Sequence, residues 1–155
     1  MRIMTAGYAL IPRFLPSVPT LVMRIYDSYP GSHNTADVEL RESNLLTVCE
    51  YTFDDQDVDT LVQHYPETDL TSLAERHVLF TPDIAKTIID DFREHYLLDG
   101  DVLVHCTLCV SRSPAVVMGL NDVFNLGWST DKMMKKKASY NKMVYRMIRK
   151  VGGKY

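Results

Sequence analysis

Apolar runs in the first half of the chain predict two β-strands. Residues 20–26 (TLVMRIY) are almost all apolar and precede a turn-forming segment, 27–32, that contains a proline-glycine pair. A second strand is predicted at 45–51, shortly before the acidic segment 54–59. Residues 60–80 show no regular period, so they are predicted to form an irregular loop with room for one short helix.

The pattern from residue 81 onward predicts a helix that contributes to the core. Residues 81–83 (TPD) combine a capping hydroxyl, a proline suited to the first turn and an acid that faces the positive end of the helix dipole. Apolar residues then recur at i, i+4 and i+8, which places Ile84, Ile88 and Phe92 on one face. The helix is expected to end near Tyr96.

The last third of the chain predicts one more strand followed by helices. Residues 102–104 (VLV) form a short, continuously apolar run after a turn, which is the pattern of a strand buried on both faces of a parallel sheet. A helix is predicted to begin at Ser113 and Pro114 and to end at Gly127, and two further helices are predicted within 131–151. The inward-facing residues of these last helices are expected to be Val144, Ile148 and Val151.

Strands that alternate with helices, followed by a helical carboxyl-terminal part, indicate an α/β fold with a central, mostly parallel sheet flanked by helices. The length of 155 residues favours a single domain over residues 1–155. Hydrophobic residues make up 46% of the chain and charged residues 24%, values that argue against wholesale disorder, a collagen-like chain and a coiled coil.

Three features favour the reducing cytoplasm and argue against a membrane partner. No apolar run approaches the roughly 20 residues that span a bilayer. The amino terminus lacks the basic, apolar and small-residue pattern of a secretory signal. The three cysteines, Cys49, Cys106 and Cys109, are an odd number and too sparse for a secreted disulfide scaffold.

The net charge of −3 hides a strong asymmetry along the chain. Residues 1–128 hold 8 basic and 19 acidic side chains, whereas residues 129–155 hold 9 basic and 1 acidic. A basic end of this kind can attract nucleic acid, a membrane or an acidic partner. The run of lysines at 135–137 is short, however, which favours a solvated helix face.

The stretch 104–114 (VHCTLCVSRSP) carries the candidate chemistry, because it runs from the apolar strand through a loop into a helix. Such a loop turns successive backbone N–H groups into one concavity, and the helix dipole adds partial positive charge. A cysteine at the floor, here Cys106, is expected to be ionised in that setting. Arg112 can close the rim with a planar fork that matches two phosphate oxygens. The segment therefore predicts a phosphate site with a thiolate beneath it.

This segment resembles the signature of the cysteine-dependent protein tyrosine phosphatase superfamily, which reads His-Cys, any five residues, Arg, and then Ser or Thr. Its four fixed positions are occupied by His105, Cys106, Arg112 and Ser113. The layout of residues 21–150 is also similar to that of the small dual-specificity phosphatases. The resemblance implies a phosphatase of that fold that uses no cofactor.

The resemblance also implies a role for each signature residue. Cys106 is the expected nucleophile, which forms a phosphocysteine intermediate, and Arg112 is expected to bind the phosphate and stabilise the transition state. The Ser113 hydroxyl is expected to help the thiolate leave, and His105 to orient the loop and tune the thiol rather than act as a base. The phosphate-binding backbone amides are expected to be those of Thr107, Leu108, Cys109, Val110, Ser111 and Arg112.

A general acid must protonate the leaving oxygen, and the acidic segment supplies the candidates. Residues 51–55 (YTFDD) are similar to the strand end that bears this acid in the family, which makes Asp55 the first choice and Asp54 the second. Asp57 is a third choice. Neighbouring carboxylates favour protonation of one of their number, which supports the cluster. Without the signature, the same segment is typical of a solvated acidic turn.

Two features depart from the family pattern. Cys109 stands where the family usually has a glycine, so the loop is expected to be strained or reshaped there. Cys106 and Cys109 also form a CxxC pair that can close a reversible disulfide, and the alternative is that Cys109 is a small buried side chain that fills a gap. Finally, Asp55 and Cys106 are 51 residues apart, which is longer than in most small members of the family. The additional residues lie in 57–80 and are expected to form a lid or a substrate-recognition insert, or to have no function.

The leading hypothesis is therefore hydrolysis of phosphomonoesters, above all on phosphorylated protein, with phosphotyrosine ahead of phosphoserine and phosphothreonine. RNA is the second substrate class, because some relatives with this loop remove an RNA 5′ phosphate. A phospho-binding module without turnover and a thiol oxidoreductase are the remaining alternatives. The complete signature argues against the module, and the oxidoreductase leaves Arg112 and Ser113 unexplained. The oligomeric state stays open.

No metal site is expected from the sequence. Cys49 lies in an apolar strand and is assigned to the core. Histidine pairs with ligand spacing are the usual signal for a metal, and this chain has none among His33, His64, His77 and His95.

Overall fold

The computed structural model describes residues 2–29, 38–96 and 99–154, and its centre is a four-stranded sheet. The strands are β1 (Ile3–Gly7), β2 (Thr20–Tyr26), β3 (Leu46–Thr52) and β4 (Asp101–Cys106), in the spatial order β1-β4-β2-β3. All three pairings are parallel, which confirms the predicted α/β class. β4 lies between β1 and β2, and every one of its residues is buried, as the apolar run at 102–104 predicted.

Helices flank the sheet and form the carboxyl-terminal part of the chain. A 3₁₀ helix (Tyr8–Arg13) follows β1. The α-helices of the described ranges are α1 (Val58–His64), α2 (Leu70–Arg76), α3 (Pro82–His95), α4 (Arg112–Phe124), α5 (Thr130–Lys136) and α6 (Lys142–Val151).

The helix α3 forms for the reasons that its sequence indicated. The Thr81 hydroxyl accepts a hydrogen bond from the Ile84 N–H (3.3 Å), and a proline occupies the first turn. Ile88 and Phe92 are fully buried against the sheet, and each buried apolar side chain of this size contributes about 1.5–3 kcal/mol. α3 therefore anchors one side of the core.

The helices α4 and α6 pack closely, which fixes the helix that begins at the candidate site. A β-carbon added at Gly119 on α4 would lie 2.7 Å from a side-chain carbon of Ile148, so only glycine permits this approach. Val144 and Ile148 on α6 are fully buried, as predicted, but Val151 is 37% exposed, so its predicted inward position is wrong. Val151 is the last residue of α6, where the helix has passed the edge of the core.

The segment 60–80 differs from its prediction, because it contains residues of two helices rather than one. Each helix begins at an aspartate cap: Asp57 accepts from the Thr60 N–H, and Asp69 accepts from the N–H groups of Thr71 and Ser72. Neither helix contains a fully buried residue, so the sequence carries no apolar period there.

Other elements also differ from the sequence prediction. β1 was not predicted at all. α4 ends at Phe124, three residues before Gly127, and the residue that follows it, Asn125, adopts a left-handed conformation (φ 52°) that asparagine tolerates. The second strand begins and ends one residue later than predicted. The predicted turn at 27–32 lies partly outside the described residues.

None of the helices in the described part of the chain combines the length and the apolar character needed to span a lipid bilayer.

Candidate active site

The loop 107–111 connects β4 to α4 at the carboxyl-terminal edge of the sheet. β4 ends at Cys106, which is 3% exposed, and α4 begins at Arg112. Ligands of open parallel sheets bind at this edge, where the loops leave a crevice. A cavity of about 270 Å³ lies here, lined by Asp27, Asp55 and most of the segment from Cys106 to Arg112.

The loop presents backbone N–H groups that are free to bind an anion. Within the described ranges, none of the N–H groups of residues 108–111 donates a hydrogen bond to another residue. Among the described residues, no side chain caps α4 either, because the hydroxyl of Ser111 at the cap position donates instead to Asp55 (2.7 Å). Unpaired amides beside the positive end of a helix dipole form an anion site.

Arg112 is buried beside this loop and is oriented by the ends of two strands. Its Nη1 donates to the carbonyl oxygens of Phe53 (2.8 Å) and Tyr26 (3.4 Å), and its Nη2 pairs with Asp27 Oδ1 (2.7 Å). Its Nε is buried without a hydrogen-bond partner among the described residues. An unpaired buried donor costs about 1–3 kcal/mol, and an anion bound within its reach would offset that cost.

Asp27 is a site residue that the sequence analysis missed. Its carboxylate accepts a hydrogen bond from the Thr107 hydroxyl and pairs with the Arg112 guanidinium, so it connects the loop to the arginine. Asp27 directly follows β2, and the end of β2 lies beside the end of β4 because the two strands are parallel neighbours. The sequence did contain a signal for Asp27, because this acid directly follows the strand predicted at 20–26.

Ser113, in the first turn of α4, and His105, in β4 beside Cys106, are both fully buried. The Ser113 hydroxyl has no hydrogen-bond partner in the described part of the chain, so its proton remains available. Burial, with a smaller effect of the nearby Arg24 charge, lowers the pKa of His105 to about 3. The ring is therefore neutral near pH 7 and too weak a base to take a proton there. Neither ring nitrogen makes a hydrogen bond within the described residues, so an orienting effect of His105 has to come from packing.

The lowered pKa of His105 predicts that acid destabilises the fold. Between the folded value of about 3 and the ordinary value of 6.5, the unfolded chain binds a proton that the folded chain does not. Stability is therefore lost as the pH falls through this window, by about 2 kcal/mol from this residue between about pH 7.5 and pH 5. Denaturant unfolding at the two pH values measures the difference.

The variant His105→Gln tests that origin, because it removes the titrating group. The loss between the two pH values is expected to shrink by about 2 kcal/mol in this variant. The matched variant at the exposed His64, His64→Gln, is expected to keep the loss of the wild type. An unchanged pH dependence in His105→Gln would contradict the assignment.

Asp55, the first candidate acid, borders the cavity at the mouth of the loop. Its Oδ1 accepts hydrogen bonds from the Ser111 hydroxyl (2.7 Å) and from the Asn141 Nδ2 (3.0 Å). Asn141 is buried and at the same time caps α6 through the Val144 N–H (3.0 Å). Asn141 is a positioning residue for Asp55 that was not predicted from the sequence.

Asp54, the second candidate acid, is buried and serves as a hydrogen-bond acceptor within the fold. It accepts hydrogen bonds from the Ser28 N–H (2.7 Å) and the Val78 N–H (3.0 Å), and it lies 3.3 Å from His77 Nδ1. Burial alone would raise its pKa, but the hydrogen bonds from Ser28, Val78 and His77 outweigh that effect and lower it. Asp54 is therefore ionised near neutral pH and has no proton to donate. The third choice, Asp57, is the cap of α1.

Cys109 adopts a left-handed backbone conformation, which glycine adopts without strain. Its φ is +58°, in the left-handed region that side chains with a β-carbon disfavour, so the predicted strain at this position is present. The residue is buried and contributes, with Thr5 and Lys137, to a second cavity that Cys106 does not line. The Lys137 ammonium donates to the Cys109 carbonyl (3.3 Å) and so holds the strained turn from outside.

All three cysteines are free thiols, and the CxxC disulfide stays a prediction. Peroxide oxidises the Cys106 sulfur to a sulfenic acid, and the Cys109 thiol then attacks that sulfur, forms the S–S bond and gives up its proton to the departing hydroxide, which leaves as water. Mild peroxide is expected to yield a Cys106–Cys109 disulfide that dithiothreitol reverses, as measured by peptide mass spectrometry. In Cys109→Ser, Cys106 is expected to proceed to the sulfinic and sulfonic acids. Recovery of the sulfonic acid in the wild type, without disulfide, would refute the prediction.

The long segment 57–80 and the basic carboxyl-terminal part both lie beside the site. Arg146 on α6 pairs with Asp59 (2.6 Å), and the segment supplies the Val78 donor to Asp54, so it supports one flank of the acid-bearing loop. Its function as a lid stays a prediction. Lys135 and Lys136 on α5 are exposed, in agreement with a solvated helix face.

Comparison with solved structures finds the same fold in phosphatases. One is a mouse protein described as a dual-specificity phosphatase and crystallised in complex with zinc tungstate: it shares 16% sequence identity, the match covers 97% of this chain and 82% of that chain, and the TM-score is 0.50. Another is PTPMT1, with 12% identity, coverage of 98% and 90%, and a TM-score of 0.52. No protein-family model and no curated protein matches the sequence. The chain therefore has a dual-specificity phosphatase fold, which confirms the fold that the signature implied.

Proposed function

We propose that this protein is a cysteine-dependent phosphatase that hydrolyses phosphomonoesters through a phosphocysteine on Cys106. One observation carries the proposal: Cys106, the open amides of the loop, the unpaired Nε of Arg112 and the carboxylate of Asp55 belong to a single cavity or its walls. They supply a nucleophile, donors for the oxyanion and a general acid.

The first step transfers the phosphoryl group to sulfur. The Cys106 thiolate attacks phosphorus, an S–P bond forms, and the bond to the leaving oxygen breaks. Loop amides and the Arg112 fork bind the equatorial oxygens and stabilise the charge that spreads over them. Asp55 donates its proton to the leaving oxygen, and its position is fixed by Ser111 and Asn141.

The second step regenerates the enzyme with water. Asp55, now a carboxylate, takes a proton from the attacking water, the new P–O bond forms, and the S–P bond breaks. The Ser113 hydroxyl, which has no other acceptor among the described residues, donates to the departing thiolate. Inorganic phosphate leaves, and the acid is protonated again for the next cycle.

The rim of the cavity favours an aryl phosphate on a protein as the substrate. Leu108 is 70% exposed and Val110 is 44% exposed, and both line the cavity. Exposed apolar side chains beside an anion site can contact the ring of a phosphotyrosine, whereas a small hydrophilic alcohol gains nothing from them.

Turnover of p-nitrophenyl phosphate tests the proposal, together with inhibition by tungstate. The mouse phosphatase of the same fold was crystallised with zinc tungstate, and tungstate is a tetrahedral oxyanion that mimics phosphate. Competitive inhibition, and a phosphoenzyme trapped by rapid acid quench and located on Cys106, are the expected results. Tungstate binding without turnover of any phosphomonoester would instead identify a binding module.

Substrate class is decided by direct competition of two substrates. A phosphotyrosine peptide is expected to give a higher kcat/KM than an RNA with a 5′ triphosphate. The reverse order would move the assignment to RNA, for which the nine basic residues of 129–155 are the relevant feature.

A further inference from the structure

A cysteine, an aspartate and a histidine meet between the acid-bearing strand β3 and the helix α3, outside the phosphate cavity. Cys49 lies on β3, and Asp91 and His95 lie one turn apart near the end of α3. One ligand atom from each (a sulfur, a carboxylate oxygen and an imidazole nitrogen) lies within 4.8 Å of the other two. The candidate active site uses none of these residues.

We propose that Cys49, Asp91 and His95 form a site for a divalent transition-metal ion, with Zn²⁺ as the best fit. Zn²⁺ prefers thiolate sulfur, imidazole nitrogen and carboxylate oxygen, at about 2.3, 2.0 and 2.0–2.2 Å. Donor atoms around a tetrahedral ion with such bonds lie roughly 3–4 Å apart, so small rotations of these side chains suffice to close the site. A thiolate and a carboxylate together balance the charge of the ion.

The spacing along α3 suits two ligands on one helix face. Asp91 and His95 are separated by four residues, which puts their side chains one above the other. The spacing of the histidines alone does not reveal this pair, because the second ligand on α3 is an aspartate. The two residues also lie near the carboxyl-terminal end of α3, where the negative end of the helix dipole favours a cation.

A hydrogen bond outside the cluster orients one of the ligands. The hydroxyl of Tyr51, which is 6% exposed, donates to Asp91 Oδ2 (2.8 Å) and leaves the other carboxylate oxygen available to an ion. Metal sites use such second partners to fix the ligand geometry. Three protein ligands leave the fourth position of a tetrahedral ion to water, and all three residues are half-buried.

Electrostatics at the cluster favour a cation. Asp91 and Glu94 both place a negative charge near the Cys49 sulfur. A bound ion replaces the thiol proton and offsets both carboxylates. The ion also joins the edge strand β3 to α3, and β3 leads directly to Asp54 and Asp55.

The test uses a chain in which Cys49 is the single cysteine. The double variant Cys106→Ser/Cys109→Ser removes the other two thiols, and with them zinc binding at the phosphate loop. This chain is expected to bind one equivalent of Zn²⁺ by equilibrium dialysis. With Co²⁺ it is expected to show tetrahedral d–d bands and a thiolate charge-transfer band. Free Zn²⁺ at about 100 times its Kd is expected to raise Tm by about 5–10 °C.

Single changes in that background separate ligands from bystanders. Asp91→Asn and His95→Gln are expected to abolish stoichiometric binding and the Tm increase, and Cys49→Ser also removes the charge-transfer band. Tyr51→Phe is expected to weaken Zn²⁺ by about tenfold while keeping the Co²⁺ spectrum. The exposed-histidine variant His64→Gln is expected to bind as its parent does.

Two results would overturn the site. One is the lack of a charge-transfer band and of a Tm increase in the parent chain. The other is full Zn²⁺ binding in both Asp91→Asn and His95→Gln. These two residues are half-buried, and their replacement leaves Cys49 itself unchanged. Since the parent lacks Cys106, neither result depends on the proposed phosphatase activity.

Discussion

Replacing Cys106 with serine is expected to abolish hydrolysis of p-nitrophenyl phosphate and to leave oxyanion binding in place. The hydroxyl of serine is not ionised at neutral pH and forms no phosphoenzyme, so kcat is expected to fall by about 10⁴-fold or more. The loop amides and Arg112 remain, so tungstate is expected to bind Cys106→Ser with a Kd within a few fold of the wild type. Calorimetry measures that Kd, and stopped-flow and endpoint assays measure the turnover.

Arg112→Lys separates the charge of the arginine from its shape. Lysine keeps the positive charge but loses the planar fork, and with it the donor pair to the Phe53 carbonyl and the Asp27 carboxylate. We expect kcat/KM to fall by about 10²–10³-fold and tungstate to bind more weakly. Arg93→Lys, an exposed change on α3, is the matched control and is expected to retain full activity.

For the first of these two variants, Cys106→Ser, residual turnover above about 10% of the wild-type rate would contradict the phosphocysteine chemistry.

The parts of the molecule that the sequence predicted are those whose signal is local. β2 was placed at its full length because seven residues form an uninterrupted strand pattern. α3 was placed because a cap, a proline and an apolar stripe agree. The loop between β4 and α4, proposed here to bind phosphate, was placed because Cys106, the loop amides and Arg112 are contiguous in the chain, so no long-range contact is needed to bring them together.

The parts that were missed depend on tertiary contacts. β1 is five residues long and half-buried throughout, with a threonine and a glycine in it, so nothing in its composition marks a strand. Its strand conformation comes from pairing with β4, with Met4 opposite Leu103. Asp27 and Asn141 are far from the loop 107–111 in sequence. Asp27 is brought to the site because β2 and β4 are parallel neighbours, and Asn141 because α6 begins beside Asp55.

The choice between the two aspartates shows the same division most clearly. The sequence ranked Asp55 above Asp54 by analogy alone, since the two are chemically identical and adjacent. The structure separates them by environment: Asp54 is 5% exposed and accepts several hydrogen bonds, whereas Asp55 is exposed and borders the cavity. Neighbours that lie 24 and 26 residues away for Asp54, and 86 residues away for Asp55, create this difference.

Asp55→Asn is expected to lower kcat by about 10²–10³-fold on a phosphotyrosine peptide, because the amide cannot protonate the leaving phenolate. The loss is expected to be much smaller on p-nitrophenyl phosphate, whose leaving group departs without a proton. KM is expected to change little, since the phosphate is bound by the loop and Arg112. The basic limb of the pH–rate profile, which reports the protonated acid, is expected to disappear with the variant.

Asp54→Asn is the matched change at the neighbouring residue and is expected to act on the fold instead. The ionised Asp54 accepts from Ser28, Val78 and His77, so its neutralisation weakens charge-assisted hydrogen bonds and lowers the free energy of unfolding by about 1–3 kcal/mol. The ratio of the kcat of Asp54→Asn on p-nitrophenyl phosphate to its kcat on the phosphotyrosine peptide is expected to match that of the wild type. If Asp54→Asn lost activity selectively on the poor leaving group and Asp55→Asn did not, the assignment of the acid would be reversed. If neither variant showed that selectivity, the proton would have to come from outside this pair.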